Sequence, residues 1–255
     1  MILLKIFSRR WILTTLLVVV AMGVMVRLGI WQLDRLEKRK VFNARVEAQL
    51  SQPVLLMDAN TVADKTIVDR LSAMEYRSAF VKGQYDHSHQ VALRAQYRDN
   101  QYGVHLITPL RIEGSNQVIL VNRGWIPIQD WESGSLEKYD QPGIVEVSGM
   151  IRPSMNKADF GSRSDPTQAP GAGMLKAWNF VNIPAISNQT PYPLLPVYIQ
   201  QAPDPAWTHA PHRSLPEIEI SEGSHMSYAI QWFIFATILG AGYPLYSEAF
   251  KKPGS

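Results

Sequence analysis

Cysteine is absent from the 255 residues, and with it go disulfide frameworks, thiolate nucleophiles, iron–sulfur clusters and Cys-based zinc or copper sites. The absence leaves the compartment open, since it fits an oxidising space as well as a reducing one. A phosphate-binding P-loop, a GxGxxG turn after a strand, HExxH, GxSxG and an SxxK pair are all missing too. No acid, base and nucleophile can be placed together, so the expectation is a protein that is not an enzyme. The nine Met residues are scattered without a close Met/His cluster, which disfavours copper delivery.

The charge is modest and unevenly placed. Twenty-five basic against 22 acidic side chains give +3 and a pI near 9.0, yet residues 34–222 hold 19 Lys/Arg and 21 Asp/Glu. The basic excess therefore sits at the ends, in Lys5, Arg9, Arg10, Arg27, Lys251 and Lys252. A nucleic-acid groove needs its positive charge on the folded body, so no nucleic-acid partner is expected. The charge instead flanks the two most apolar segments, as membrane topology requires.

Trp11 to Trp31 is apolar apart from Arg27, and Met226 to Tyr246 carries no charge. Each is about 20 residues, enough to cross a ~30 Å hydrocarbon core at ~1.5 Å per residue. Arg27 is read as an end residue that snorkels to the interface rather than a buried partner for the other helix. A cleaved signal peptide ending near Ala21-Met22-Gly23 is the rival for the first span. Because apolar sequence continues to Trp31, an uncleaved anchor is preferred. The positive-inside rule puts both termini in the cytoplasm, with residues 1–10 and 247–255 cytoplasmic, spans at 11–31 and 225–246, and residues 32–224 on the outer face, periplasmic in a Gram-negative cell.

Within that outer segment the apolar stripe Leu33, Leu36, Val41, Val46 and Leu50 predicts a helical extension over 32–50. Strands are expected at Arg77–Tyr85, Gln90–Arg94, Tyr102–Leu110, Gln117–Trp125, Gly143–Ile151, Ala177–Ile183 and Pro196–Gln200. Residues 159–173 read as a flexible loop and 203–216 as a Pro-rich tether. The fold class is thus two transmembrane helices forming a hairpin around an α+β, mainly antiparallel β outer domain, a small barrel or sandwich.

Candidate chemistry is sparse. His87 and His89 form a His-x-His at a turn, exposed hairpin residues or a metal pair. His105 lies in a strand pattern as a core or edge residue, and His209 and His212 belong to the tether. At the start of the second span His225, Tyr228 and Trp232 fall at i, i+3 and i+7, on one helix face. If the helices pair, Gly29, Trp31 and Gln32 lie at comparable depth, with Arg35 one turn higher. A haem would want such groups: an imidazole for iron, aromatic walls and a cation for the propionates. Ordinary interfacial anchoring by Trp and Tyr accounts for the same pattern. Asn122-Arg123-Gly124-Trp125 ends an apolar strand, where Gly124 suits a bulge that turns Arg123 outward. Either Arg123 ties down a loop while Trp125 fills the core, or the motif forms a surface for a partner.

Three segments, in order, resemble the Surfeit locus protein 1 family. They are LGIWQLDRLEKRK (Leu28 to Lys40), like that family's Gly-x-Trp-Gln followed by basic residues; VILVNRGWIP (Val118 to Pro127), preceded by YGVHLITPL (Tyr102 to Leu110); and SHMSYAIQWFIFA (Ser224 to Ala236), like its His-x-x-Tyr-Ala-x-x-Trp-Phe. The residues before the histidine are Gly223 and Ser224, where many relatives carry Asn. The resemblance implies a membrane-bound assembly factor for cytochrome c oxidase in the cell inner membrane. It would bind haem a at His225 and pass it to the haem-bearing catalytic subunit, with the haem a synthesis machinery as a further partner. The alternative is a protein-only scaffold for an oxidase intermediate.

Overall fold

In the computed structural model, the structure describes residue 9 and residues 11–157, 165–166 and 173–249. Most of the loop expected at 159–173 lies outside the described residues, as do Lys5, Arg10, Lys251 and Lys252. The chain divides into a helical unit, of residues up to Arg45 and from Glu219 onward, and a β domain, Val46–Ile218.

The helical unit is dominated by α1 (Ile12–Leu50) and α6 (His225–Ala249). α1 takes in the helical stretch expected over 32–50. Both helices are long and apolar enough to cross a membrane, and their large side chains face outward: Leu13, Leu16, Leu17, Val19 and Val20 on α1, and Ile230, Ile234, Phe235 and Ile238 on α6 are all exposed. Apolar groups left outside a helix pair belong in lipid, not in water or in a protein core. The chain is a membrane protein.

The β domain begins with β1 (Leu55–Leu56) and three short helical turns: α2 (Ala59–Ala63), α3 (Lys65–Arg70) and a 3-10 turn, Leu71–Met74. Asp58 caps α2 by accepting from the Thr61 amide, and Asp64 caps α3 by accepting from Thr66, each at 2.8 Å. Then come β2 (Ser78–Tyr85), β3 (Val91–Arg98), β4 (Gln101–Ile112), β5 (Val118–Pro127), α4 (Ile128–Ser133), β6 (Ile144–Pro153), β7 (Ala177–Trp178), α5 (Ile183–Ser187) and β8 (Leu194–Gln201). Six of the seven expected strands match closely. The seventh, Ala177–Ile183, keeps only its first two residues. The amides of Asn179 and Phe180 donate to the Asp165 carboxylate, and Asn182 caps α5, which has Pro184 in its first turn.

The sheet runs β1-β2-β6-β8-β5-β4-β3-β7, and a further β2–β4 pairing closes β2, β6, β8, β5 and β4 into a ring. It is a barrel, not a sandwich. Its pairs are antiparallel except β5–β8, with β1–β2 and β3–β7 parallel at the margins. Alternate side chains point inward: Ala79 and Val81, Leu110 and Ile112, Ile119 and Val121, Leu195, Val197 and Ile199. The outer face of β4, β5 and β8 is covered as well, where Ile107, Leu120 and Tyr198 pack with Trp178, Ile183 and Ile186.

β5 carries a bulge. Its pairing with β4 slips between Leu106↔Gly124 and Ile107↔Asn122, leaving Arg123 as the extra residue. Beyond the bulge Trp125 also pairs with His212, exchanging backbone hydrogen bonds at 2.9 and 2.8 Å. The Pro-rich segment expected as a tether is therefore pinned to the barrel. Gly124 sits at φ +116°, and a Cβ there would meet the His212 backbone carbonyl. Gly124→Ala is expected to destabilise the β domain by about 3 kcal/mol, from a positive φ plus backbone overpacking, as read by denaturant unfolding.

Candidate functional site

The two membrane helices meet along a seam of heptad spacing. From α1, Thr15, Met22 and Gly29 follow one another at intervals of seven, and Gln32 and Arg39 form a second such row. A 3.5-residue period keeps both rows turned to one partner. The Thr15 hydroxyl lies 2.6 Å from the Tyr243 hydroxyl. Met22 packs on Gly240, and Gly29 lies so close to Phe233 that a Cβ would sit 2.7 Å from its ring. Gln32 reaches His225, and Arg39 donates to the Ser221 and Glu219 carbonyls at 2.8 and 2.5 Å. Ala229 and Ala236 are buried in between. Small residues let helix backbones approach closely where lipid offers no hydrophobic drive for association.

The candidate ligand His225 opens α6. Its Nδ1 lies 2.8 Å from Gln32 Oε1. With Gln32 Oε1 as the acceptor, Nδ1 donates, and in a neutral ring of that tautomer the Nε2 lone pair is the one that can meet a metal. Gly223, at φ +66°, flanks that edge, and a Cβ there would lie 3.8 Å from Nε2. Of the other expected members, Arg35 stacks over the Trp31 ring at 5.3 Å. Trp232 is half-buried on the seam side of α6, edge-on to Phe235 with ring centroids 6.2 Å apart.

Trp31 and Tyr228 are 42% and 49% exposed, so the face expected from His225, Tyr228 and Trp232 is not the one that meets α1. The seam takes residues at intervals of four and three, His225, Ala229 and Trp232, and Tyr228 falls outside it. The structure thus brings His225 together with Gln32, and Trp31 with Arg35.

In the β domain the Asn122-Arg123-Gly124-Trp125 motif is buried. Arg123 is 1% exposed, which overturns its expected outward turn and the reading of the motif as a partner surface. The guanidinium donates to the Tyr139 carbonyl and, at 3.2 Å, to Gln90 Oε1 and Gln141 Oε1, and stacks over Tyr85 at 4.7 Å. It ties down the segment after α4, the structural alternative. Burial pushes the Tyr85 hydroxyl up to about 12, against the pull of Arg123 and Arg213. Trp125 fills the core and donates to the Gln96 carbonyl. His87 and His89 have separate partners: His87 Nδ1 lies 3.1 Å from Asp140, and His89 Nδ1 3.0 Å from Asp86. Asp86 also accepts from Ser88, Arg111 and Tyr192. Among the described residues no three His, Cys, Asp or Glu side chains gather to hold a metal ion.

The family model described as SURF1 family matches residues 19–237. The chain belongs to the SURF1 family. It is 23% identical to a SURF1-like protein of Caenorhabditis briggsae, over 83% of this chain and 68% of that one. It is 22% identical to a SURF1-like protein of Rickettsia bellii, over 94% and 93%, and 22% identical to Surfeit locus protein 1 of Arabidopsis thaliana, over 81% and 70%. The stretch matched to the SURF1 family takes in Trp31, Gln32, Arg35 and His225. Arg39 and the Thr15–Tyr243 contact of this SURF1-family chain did not stand out in the sequence, although the seven-residue spacing of Thr15, Met22 and Gly29 was a usable signal.

His105 is the titrating group with the clearest consequence. Its Nδ1 lies 3.0 Å from the Asn122 amide nitrogen, and burial lowers its pKa to about 4. Between about 6.5 and about 4 the unfolded chain binds a proton that the folded one does not, so stability falls as pH drops through that window and is level above it. The melting temperature of His105→Gln is expected to depend less on pH between those limits; an unchanged slope would count against the assignment.

Proposed function

We propose that this SURF1-family protein is an assembly factor for cytochrome c oxidase that holds haem a at the His225 end of its helix pair and gives it up to the catalytic subunit. The 2.8 Å contact between His225 Nδ1 and Gln32 carries this reading. It holds the ring in one orientation and favours the tautomer whose Nε2 could ligate iron, and an oriented imidazole is a better ligand than a rotating one. Gly223 keeps a side chain away from the Nε2 edge. Haem, when bound, would supply an iron centre, and His225 is the residue that would hold it. Trp232 offers an apolar wall, Trp31 and Tyr228 flank the site, and Arg35 offers a cation to the propionates. A single histidine suits a carrier that must release its cargo. The protein lies in the cell inner membrane in this reading, with both termini cytoplasmic and the β domain periplasmic.

Co-expression with haem a synthesis, followed by absorption spectra of the purified membrane protein, tests the proposal. Wild type is expected to carry haem, His225→Ala to lose it, and Gln32→Ala to bind about 10-fold more weakly or worse. Unchanged haem in His225→Ala sinks the assignment. Oxidase subunit co-purifying without haem would instead favour the protein-only scaffold.

A further inference from the structure

Arg27 is the one charged residue between Trp11 and Trp31. It is exposed, two residues before Gly29 and five after Met22. At ~100° per residue it therefore points away from the seam, toward lipid. Among the described residues it has no hydrogen-bond or ion-pair partner. On that side of α1 follow Trp31, Asp34, Arg35 and Lys38, at i+4, i+7, i+8 and i+11, all exposed, with the Arg35 guanidinium over the Trp31 ring. Asp34 lies on the stripe itself and Glu37 at its edge, so Arg27, Arg35 and Lys38 leave the stripe with a net positive charge.

A cation facing hydrocarbon is costly and relieves that cost by reaching the headgroup layer. Trp31 marks the layer, as tryptophans do at membrane interfaces. The helix rise sets Arg27 about 6 Å below Trp31 and Arg35 about 6 Å above it, so two long side chains approach one level from opposite sides. We propose that the Arg27–Trp31–Arg35 face binds the phosphate of an anionic phospholipid such as phosphatidylglycerol. Guanidinium groups pair with phosphate in bidentate fashion. A net negative lipid is preferred over a zwitterionic one because the latter's ammonium group would meet Arg35 and Lys38. Trp31 and Arg35 are shared with the proposed haem site whereas Arg27 belongs to the lipid face alone, so the haem-free chain and substitutions at Arg27 read lipid binding separately from haem binding.

Native mass spectrometry of the haem-free full chain, offered equimolar phosphatidylglycerol and phosphatidylcholine, tests it. The expected result is one phosphatidylglycerol adduct favoured by about 5-fold at low salt, the worth of one arginine near an anionic surface. The preference should vanish in Arg27→Gln and survive, weakened, in Arg27→Lys, which keeps the charge without the two-pronged donor. In the unaltered protein, raising ionic strength from about 0.05 to about 0.5 M should also abolish it. Equal adducts in wild type, a preference retained by Arg27→Gln, or one indifferent to salt would each overturn the proposal.

Discussion

A strand buried on both faces needs two layers of cover, and β5 obtains them from distant parts of the chain. Its inward residues Ile119 and Val121 are covered by the rest of the ring. Its outward Leu120 needs Trp178, Ile183 and Ile186, which arrive after β6. The parallel β8 must then return beside β5, and the segment around His212 takes over the pairing past the bulge. The barrel is complete only when sequence-distant pieces have assembled, so its contacts are strongly non-local.

The bulge also explains how an arginine is accommodated in that core. Burying a guanidinium is costly unless its donors are met. Gln90, Gln141 and the Tyr139 carbonyl meet those of the two terminal nitrogens, the Tyr85 ring takes one face, and Nε alone is left without an acceptor. The same residue thereby joins the barrel interior to the segment following α4.

Much of the fold was legible because the strands alternate and are separated by Gly, Pro and Asn. The turns at Ala59–Met74 were not, since helices of five and six residues show too little periodicity and rest on the caps Asp58 and Asp64. Nor was the parallel β5–β8 pairing, because a buried strand does not name its neighbour. Gly124 did signal a bulge, but the direction of Arg123 depended on partners far along the chain. At the helix pair, depth alone put Gln32 beside His225. The place of Tyr228 was missed because three- and four-residue steps differ by ~100°, enough to move a side chain from seam to lipid.

The helix pair ends in a polar contact on each side: Gln32 with His225, and Thr15 with Tyr243. They are separated by 17 residues of α1, about 26 Å of helix, a little less than the ~30 Å of an average hydrocarbon core. Polar groups resist entering that layer, so the two contacts act as a gauge of bilayer thickness. A thicker membrane would draw one of them into hydrocarbon or force the bilayer to thin around the pair.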